Sequence, residues 1–152
     1  MLKTKAPEFL LKDKNSKAVN LKEISSKFTI VYFYPKDDTL GCTIEAKQFS
    51  NLIHEFKKLN VKIIGISGGD EKSKKSFCDK YGLKITLVSD PDFSISKKYR
   101  VYGKKNFMGK EFFGIKRTTF VLDKDKKIIK IYENVSPEGH AQEVLNFLLS
   151  KN

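Results

Sequence analysis

At 152 residues and 17.4 kDa, with 39% hydrophobic residues, the chain has the size at which a single domain closing one sizeable core is expected, spanning residues 1–152. No apolar run approaches the roughly 20 residues of a membrane-spanning helix, and the opening MLKTKAPEFLLKDK lacks the apolar stretch of a secretory signal, so a soluble cytoplasmic protein is the expectation. The 30 basic and 18 acidic side chains give a formal charge of +12, but only Arg100 and Arg117 are arginine and the lysines are scattered along the chain, which argues for a solvated basic surface and against a nucleic-acid interface.

In chain order, residues 28–34 (FTIVYFY) and 61–67 (VKIIGIS) are almost continuously apolar, the pattern of strands buried on both faces. Between them, Phe49, Leu52, Ile53, Phe56 and Leu59 recur at helical spacing, predicting a helix over 42–60 and hence a β-α-β unit. A second helix is predicted over 70–81 with Gly82 as its stop, a strand over 85–89, and a short helix over 92–99. Residues 103–116 (GKKNFMGKEFFGIK), with their glycines, lysines and aromatics, read as a surface loop beside a functional face. Strands over 118–123 and 127–133 flank Lys124-Asp125-Lys126, which predicts a tight antiparallel hairpin. Ser136-Pro137-Glu138 reads as the cap and first turn of a closing helix carrying Ala141, Val144, Leu145, Leu148 and Leu149. These elements predict an α/β protein of thioredoxin-like fold, with a central mixed sheet flanked by helices.

The two cysteines, Cys42 and Cys78, are too few for a secreted disulfide framework, and His54 and His140 show no metal-ligand spacing with them. The segment Tyr34-Pro35-Lys36-Asp37-Asp38-Thr39-Leu40-Gly41-Cys42 leads from the strongest strand into the strongest helix. Free backbone N–H groups at a helix start stabilise an anion, so a cysteine in that first turn is well placed to act as a thiolate. Cys42, Phe49 and Phe56 are spaced by sevens, so the sulfur is expected to face the sheet. The same pattern also fits a small buried hydrophobe, the commonest role of a free cysteine. A protease-type Cys-His pair is disfavoured, because His54 lies three turns along the helix and nothing in the sequence ties His140 to the site.

PKDDTLGCTIE resembles the active-site segment of the peroxiredoxins, with Pro35, Thr39 and Cys42 in the positions of that family's signature. KAPEFLL, VYFYPKDDT, IIGISGGD, KYGL with LVSDPD, FMGKEFFGIKRTTFVLD and VSPEGHAQEVL extend the resemblance, in order, over almost the whole chain, to the bacterioferritin comigratory protein and peroxiredoxin Q group. The resemblance implies that Cys42 attacks a hydroperoxide and becomes a sulfenic acid, that Thr39 orients the peroxide, that Pro35 shields the site, and that Arg117 polarises the peroxide and stabilises the thiolate. A cation that does not titrate suits that place, since negative charge moves from sulfur to the leaving hydroxide.

Two positions depart from the pattern. Leu40 stands where many relatives have proline, and Lys47 stands where many carry a resolving cysteine. The resemblance then implies resolution by Cys78, as in a branch whose resolving cysteine lies on the following helix, with a structural role beside Phe77 and Tyr81 as the alternative. Helix 71–81 has few apolar anchors besides these two, so it is expected to open at modest cost and let Cys78 reach Cys42. The implied activity is reduction of hydrogen peroxide and organic hydroperoxides by a monomer that needs no bound cofactor and is recycled by thioredoxin. The rivals are a one-cysteine peroxidase and a basic nucleic-acid-binding module; a disulfide isomerase lacks its C-x-x-C pair. Phe107, Phe112 and Phe113 either line the approach to the site or pack under the loop.

Overall fold

The computed structural model describes residues 1–151. Strands β1 (Leu10–Asp13) and β2 (Ala18–Asn20) form a hairpin, followed by β3 (Phe28–Phe33), helices α1 (Leu40–Asn51) and α2 (Ile53–Lys58), and β4 (Val61–Ser67). Then come α3 (Glu71–Tyr81), β5 (Thr86–Ser89), α4 (Ser94–Lys98), β6 (Tyr102–Phe107), β7 (Lys110–Ile115), β8 (Thr118–Leu122), β9 (Ile128–Tyr132) and α5 (His140–Lys151). Seven strands make one sheet in the order β2-β1-β5-β4-β3-β8-β9, in which β3, β4 and β5 are parallel and the others antiparallel to their neighbours. The mixed sheet is the predicted one, and its centre is the β-α-β unit. Among the described residues no helix is long and apolar enough to cross a membrane.

Alternation along β3 divides the core. Ile30 and Tyr32 meet α1, α2, α3 and α5 on one face, while Val31 and Phe33 meet α4 and the amino-terminal segment on the other. Gly65 on β4 makes room on the first face, because a Cβ there would lie 2.6 Å from Leu87 Cδ2 and 2.7 Å from Tyr32 Cζ. Phe49 then stacks on Tyr32 with ring centroids 4.9 Å apart, fixing α1 against the sheet.

Three local readings change, and one hairpin went unread. The helix over 42–60 is interrupted at Leu52, whose N–H is shared among carbonyls of the preceding turn. Residues 103–116 are mostly a hairpin rather than a loop: β6 and β7 pair from Tyr102↔Ile115 to Phe107↔Lys110. Its turn residues Met108 and Gly109 both have positive φ, 52° and 80°, as a tight hairpin turn requires. Methionine rarely adopts that conformation, so the turn was hidden in the sequence. The closing helix starts at His140, not at Ser136, because Gly139 at φ 83° breaks the helical path. The β1–β2 hairpin escapes a periodicity search, being short, half-exposed and at the sheet edge.

Phe49 is fully buried and touches Tyr32, Phe56 and His140. Phe49→Ala is expected to lower the unfolding free energy by about 3–5 kcal/mol in urea titration. A loss below about 1 kcal/mol would show that α1 is held to the sheet by other contacts.

Candidate active site

The chain leaves β3 through Tyr34 and the half-buried Pro35 and reaches α1 at Thr39, its N-cap. The Thr39 hydroxyl donates to the Lys36 carbonyl at 2.9 Å instead of capping the helix, while the Thr43 N–H donates to the Thr39 carbonyl at 2.8 Å. Cys42 therefore lies in the first turn of α1. It is 1% exposed and packs into the core cluster with Ala46 and Phe49, the sheet-facing orientation read from the sevenfold spacing.

Arg117 reaches it from the sheet. Antiparallel pairing sets Thr118, the first residue of β8, opposite Phe33, the last of β3, and so holds Arg117 beside the crossing into α1. Its Nη2 lies 3.4 Å from Cys42 Sγ and its Nη1 donates to Glu45 Oε1 at 2.8 Å. Gly41 admits the guanidinium, since a Cβ at that position would lie 3.0 Å from Nη2 and 3.2 Å from Pro137 Cγ. The guanidinium thus bridges two groups of one helical face, three residues apart.

Glu45 is wholly buried, and its Oε2 has no hydrogen-bond partner among the described residues. Burial pushes its carboxyl up from 4.5 to about 7, against the opposing pull of Arg117. Burial works against the Arg117 charge, but the neighbouring Cys42 and Glu45 outweigh it and leave that pKa above its ordinary value. A second cation stands nearby: Lys105, on β6, donates to the Ile115 carbonyl at 2.9 Å. Burial and the charge of Arg117 hold its pKa down, with Cys42 acting in the opposite sense. Cys42 therefore sits at a helix amino end flanked by a guanidinium and within the field of an amine.

Cys78 lies on α3, 3% exposed, in the same apolar cluster as Cys42, and both are free thiols. The structure thus joins Cys42 to Arg117 directly, sets Pro35 and Thr39 on the segment that delivers Cys42, and buries Cys78 on α3 in the same apolar cluster. His140 serves the scaffold, bonded to Thr119 at 2.8 Å and Glu143 at 2.9 Å and packed edge-on against Phe49. Sequence reasoning missed Glu45 and Lys105. Glu45 was legible as an acid three positions after Cys42, whereas Lys105 depends on the concealed hairpin.

The AhpC/TSA family profile matches residues 2–131. The chain is 41% identical over 143 residues to a putative peroxiredoxin bcp of Helicobacter pylori, with 94% of each chain covered. It is 38% identical over 143 residues to peroxiredoxin Bcp of Escherichia coli, covering 94% of this chain and 92% of that one. Among solved structures it is similar to the Xanthomonas campestris bacterioferritin comigratory protein, studied for its alkyl peroxide reduction activity, with a TM-score of 0.88 at 34% identity over 94% of this chain and 91% of the other. The chain belongs to the AhpC/TSA family, within the peroxiredoxins of the bacterioferritin comigratory protein and peroxiredoxin Q group.

Proposed function

We propose that this chain, acting as one thioredoxin-like domain, is a thiol-dependent peroxidase that reduces hydrogen peroxide and organic hydroperoxides through Cys42. The observation that carries this reading is the Cys42 sulfur in the first turn of α1, 3.4 Å from the Arg117 guanidinium. The thiolate attacks the terminal peroxide oxygen, an S–O bond forms and the O–O bond breaks, and the departing alkoxide or hydroxide takes a proton as alcohol or water. Sulfur is oxidised to a sulfenic acid while the peroxide is reduced by two electrons. Arg117 stabilises negative charge both on the sulfur and on the leaving oxygen, and Glu45 fixes the guanidinium plane by holding Nη1. Pro35 shields the site, and the Thr39 hydroxyl, freed from the Lys36 carbonyl, would orient the peroxide.

In the second half-reaction the Cys78 thiolate attacks the Cys42 sulfur, forming a disulfide and releasing water after proton transfer. A dithiol protein of the thioredoxin class then reduces that disulfide, with the peroxidase working as a cytoplasmic monomer. The surroundings of the two buried thiols favour this order of events: Cys42 has the Arg117 guanidinium at 3.4 Å, whereas burial holds the Cys78 thiol above its ordinary pKa and so keeps it protonated.

Thiol counting by mass spectrometry after one equivalent of peroxide tests both halves. Wild type is expected to lose two thiols to one internal disulfide, Cys42→Ser to lose turnover entirely, and Cys78→Ser to react once and stall as a sulfenic acid without thioredoxin-supported turnover. Turnover retained by Cys42→Ser would overturn the assignment. Full thioredoxin-dependent turnover of Cys78→Ser would identify a one-cysteine enzyme.

Glu45 adds a pH signature. Its folded pKa of about 7 exceeds the unfolded value of 4.5, so between these limits the folded protein holds a proton that the unfolded chain has released. Its contribution to stability is fully present below the unfolded pKa and is lost as pH rises through about 7. Glu45→Gln keeps an acceptor for Arg117 and removes the titration. Urea midpoints between about pH 5 and about pH 8 should therefore fall less in this variant than in wild type, and equal falls would contradict the assignment.

A further inference from the structure

Helix α3 is held by more than its apolar residues. Lys74, on its first turn, is 0% exposed; its Nζ donates to Asp37 Oδ2 at 2.8 Å and to the Gly68 carbonyl at 2.6 Å, 5.9 Å from the centroid of the Tyr34 ring. Asp37 accepts in addition from the Ser73 hydroxyl at 2.6 Å and from the Tyr34 hydroxyl at 2.6 Å. At the other end of the helix, Asp38 accepts from Lys80 at 2.8 Å and from the Tyr81 hydroxyl at 2.5 Å. Asp37 and Asp38 belong to the segment that runs from β3 to Cys42, so the segment presenting one thiol ties down both ends of the helix that carries the other. The expectation of few apolar anchors, mainly Phe77 and Tyr81, left out a polar one: the helix is also held by a buried ion pair.

The two ties differ in weight. Lys80 and Asp38 are 58% and 41% exposed, where water and salt screen the pair to little effect. Lys74 and Asp37 are 0% and 7% exposed, and their charges are compensated only while α3 stays in place. Lifting α3 returns both groups to water; deleting one partner leaves the other charge buried, a penalty borne by the closed helix alone. Lys74 and Cys78 lie four residues apart on one face, so what releases Lys74 releases Cys78.

We infer that the Asp37–Lys74 pair, braced by Ser73, is a latch on α3 and that breaking it sets the rate at which Cys78 resolves the oxidised Cys42. Lys74 and Ser73 are then positioning residues for resolution with no part in the attack on peroxide. This inference rests on the reading of Cys78 as the resolving thiol. Burial supports it by holding the Cys78 thiol above its ordinary pKa, partly offset by Lys14 and Lys74 and reinforced by Asp37 and Asp79, which keeps the thiol protonated while the helix is closed.

The test compares wild type with Ser73→Ala and Lys74→Met. Rapid-quench alkylation read by mass spectrometry separates sulfenic acid formation from disulfide formation, and hydrogen exchange of the reduced proteins reports helix opening. Sulfenic acid should form within about twofold of the wild-type rate, while the disulfide forms about tenfold faster in Lys74→Met and about threefold faster in Ser73→Ala. Exchange across 71–81 should quicken by similar factors with α5 unchanged, whereas a merely structural role would quicken both. Should Lys74→Met fail to fold, Ser73→Ala carries the test.

Disulfide formation at the wild-type rate in the folded variants would overturn the latch and leave Cys78 as the resolving thiol, as would faster exchange in α3 without faster resolution. Absence of any Cys42–Cys78 disulfide in wild type would instead overturn the reading of Cys78, and the latch with it.

Discussion

The candidate site is built around one guanidinium placed between a sulfur and a buried carboxylate. Arg117 meets Cys42 at 3.4 Å and Glu45 at 2.8 Å, and neither contact exists without elements brought from distant parts of the chain. The β3–β8 register carries Arg117 to the end of β3, Gly41 leaves the space that a side chain would fill, and Phe49 on Tyr32 keeps α1 against the sheet. A buried acid is costly, and Glu45 has a carboxyl pushed up to about 7 despite its partner. That cost has a return: the guanidinium is held in one orientation and needs no reorganisation as charge moves in the proposed reaction.

The segment from Pro35 to Thr39 serves two ends of the chemistry. It delivers Cys42 to the helix start, and through Asp37 and Asp38 it grips the helix that hides Cys78. In the proposed cycle α3 is closed while Cys42 reacts with peroxide and opens for Cys78 to reach it. Placing the grip on the same few residues that present the attacking cysteine would let the two steps share one structural switch.

Much of this was legible in the sequence because the signals were local. Continuous β-branched runs marked β3 and β4, the sevenfold spacing of Cys42, Phe49 and Phe56 gave the sulfur its direction, and Gly82 ended α3 in the left-handed conformation that its position requires. The failures came where tertiary contacts or unusual backbone decide. Met108 at positive φ concealed the β6–β7 hairpin, and Gly139 ended a false first turn. Lys74 looked like one more solvated lysine in a lysine-rich helix, although it is the one held dry by Asp37. Nothing in local spacing announces a partner 37 residues away.

The central claim, that the Arg117 fork and not merely its charge activates Cys42, is tested most directly by stopped-flow measurement of the second-order rate of Cys42 oxidation in Arg117→Lys. Lysine keeps the charge but loses the planar pair of donors that touches Cys42 and Glu45 together. The account predicts a fall of about tenfold or more, corresponding to roughly 1.4 kcal/mol of transition-state stabilisation. A rate equal to that of wild type would contradict it.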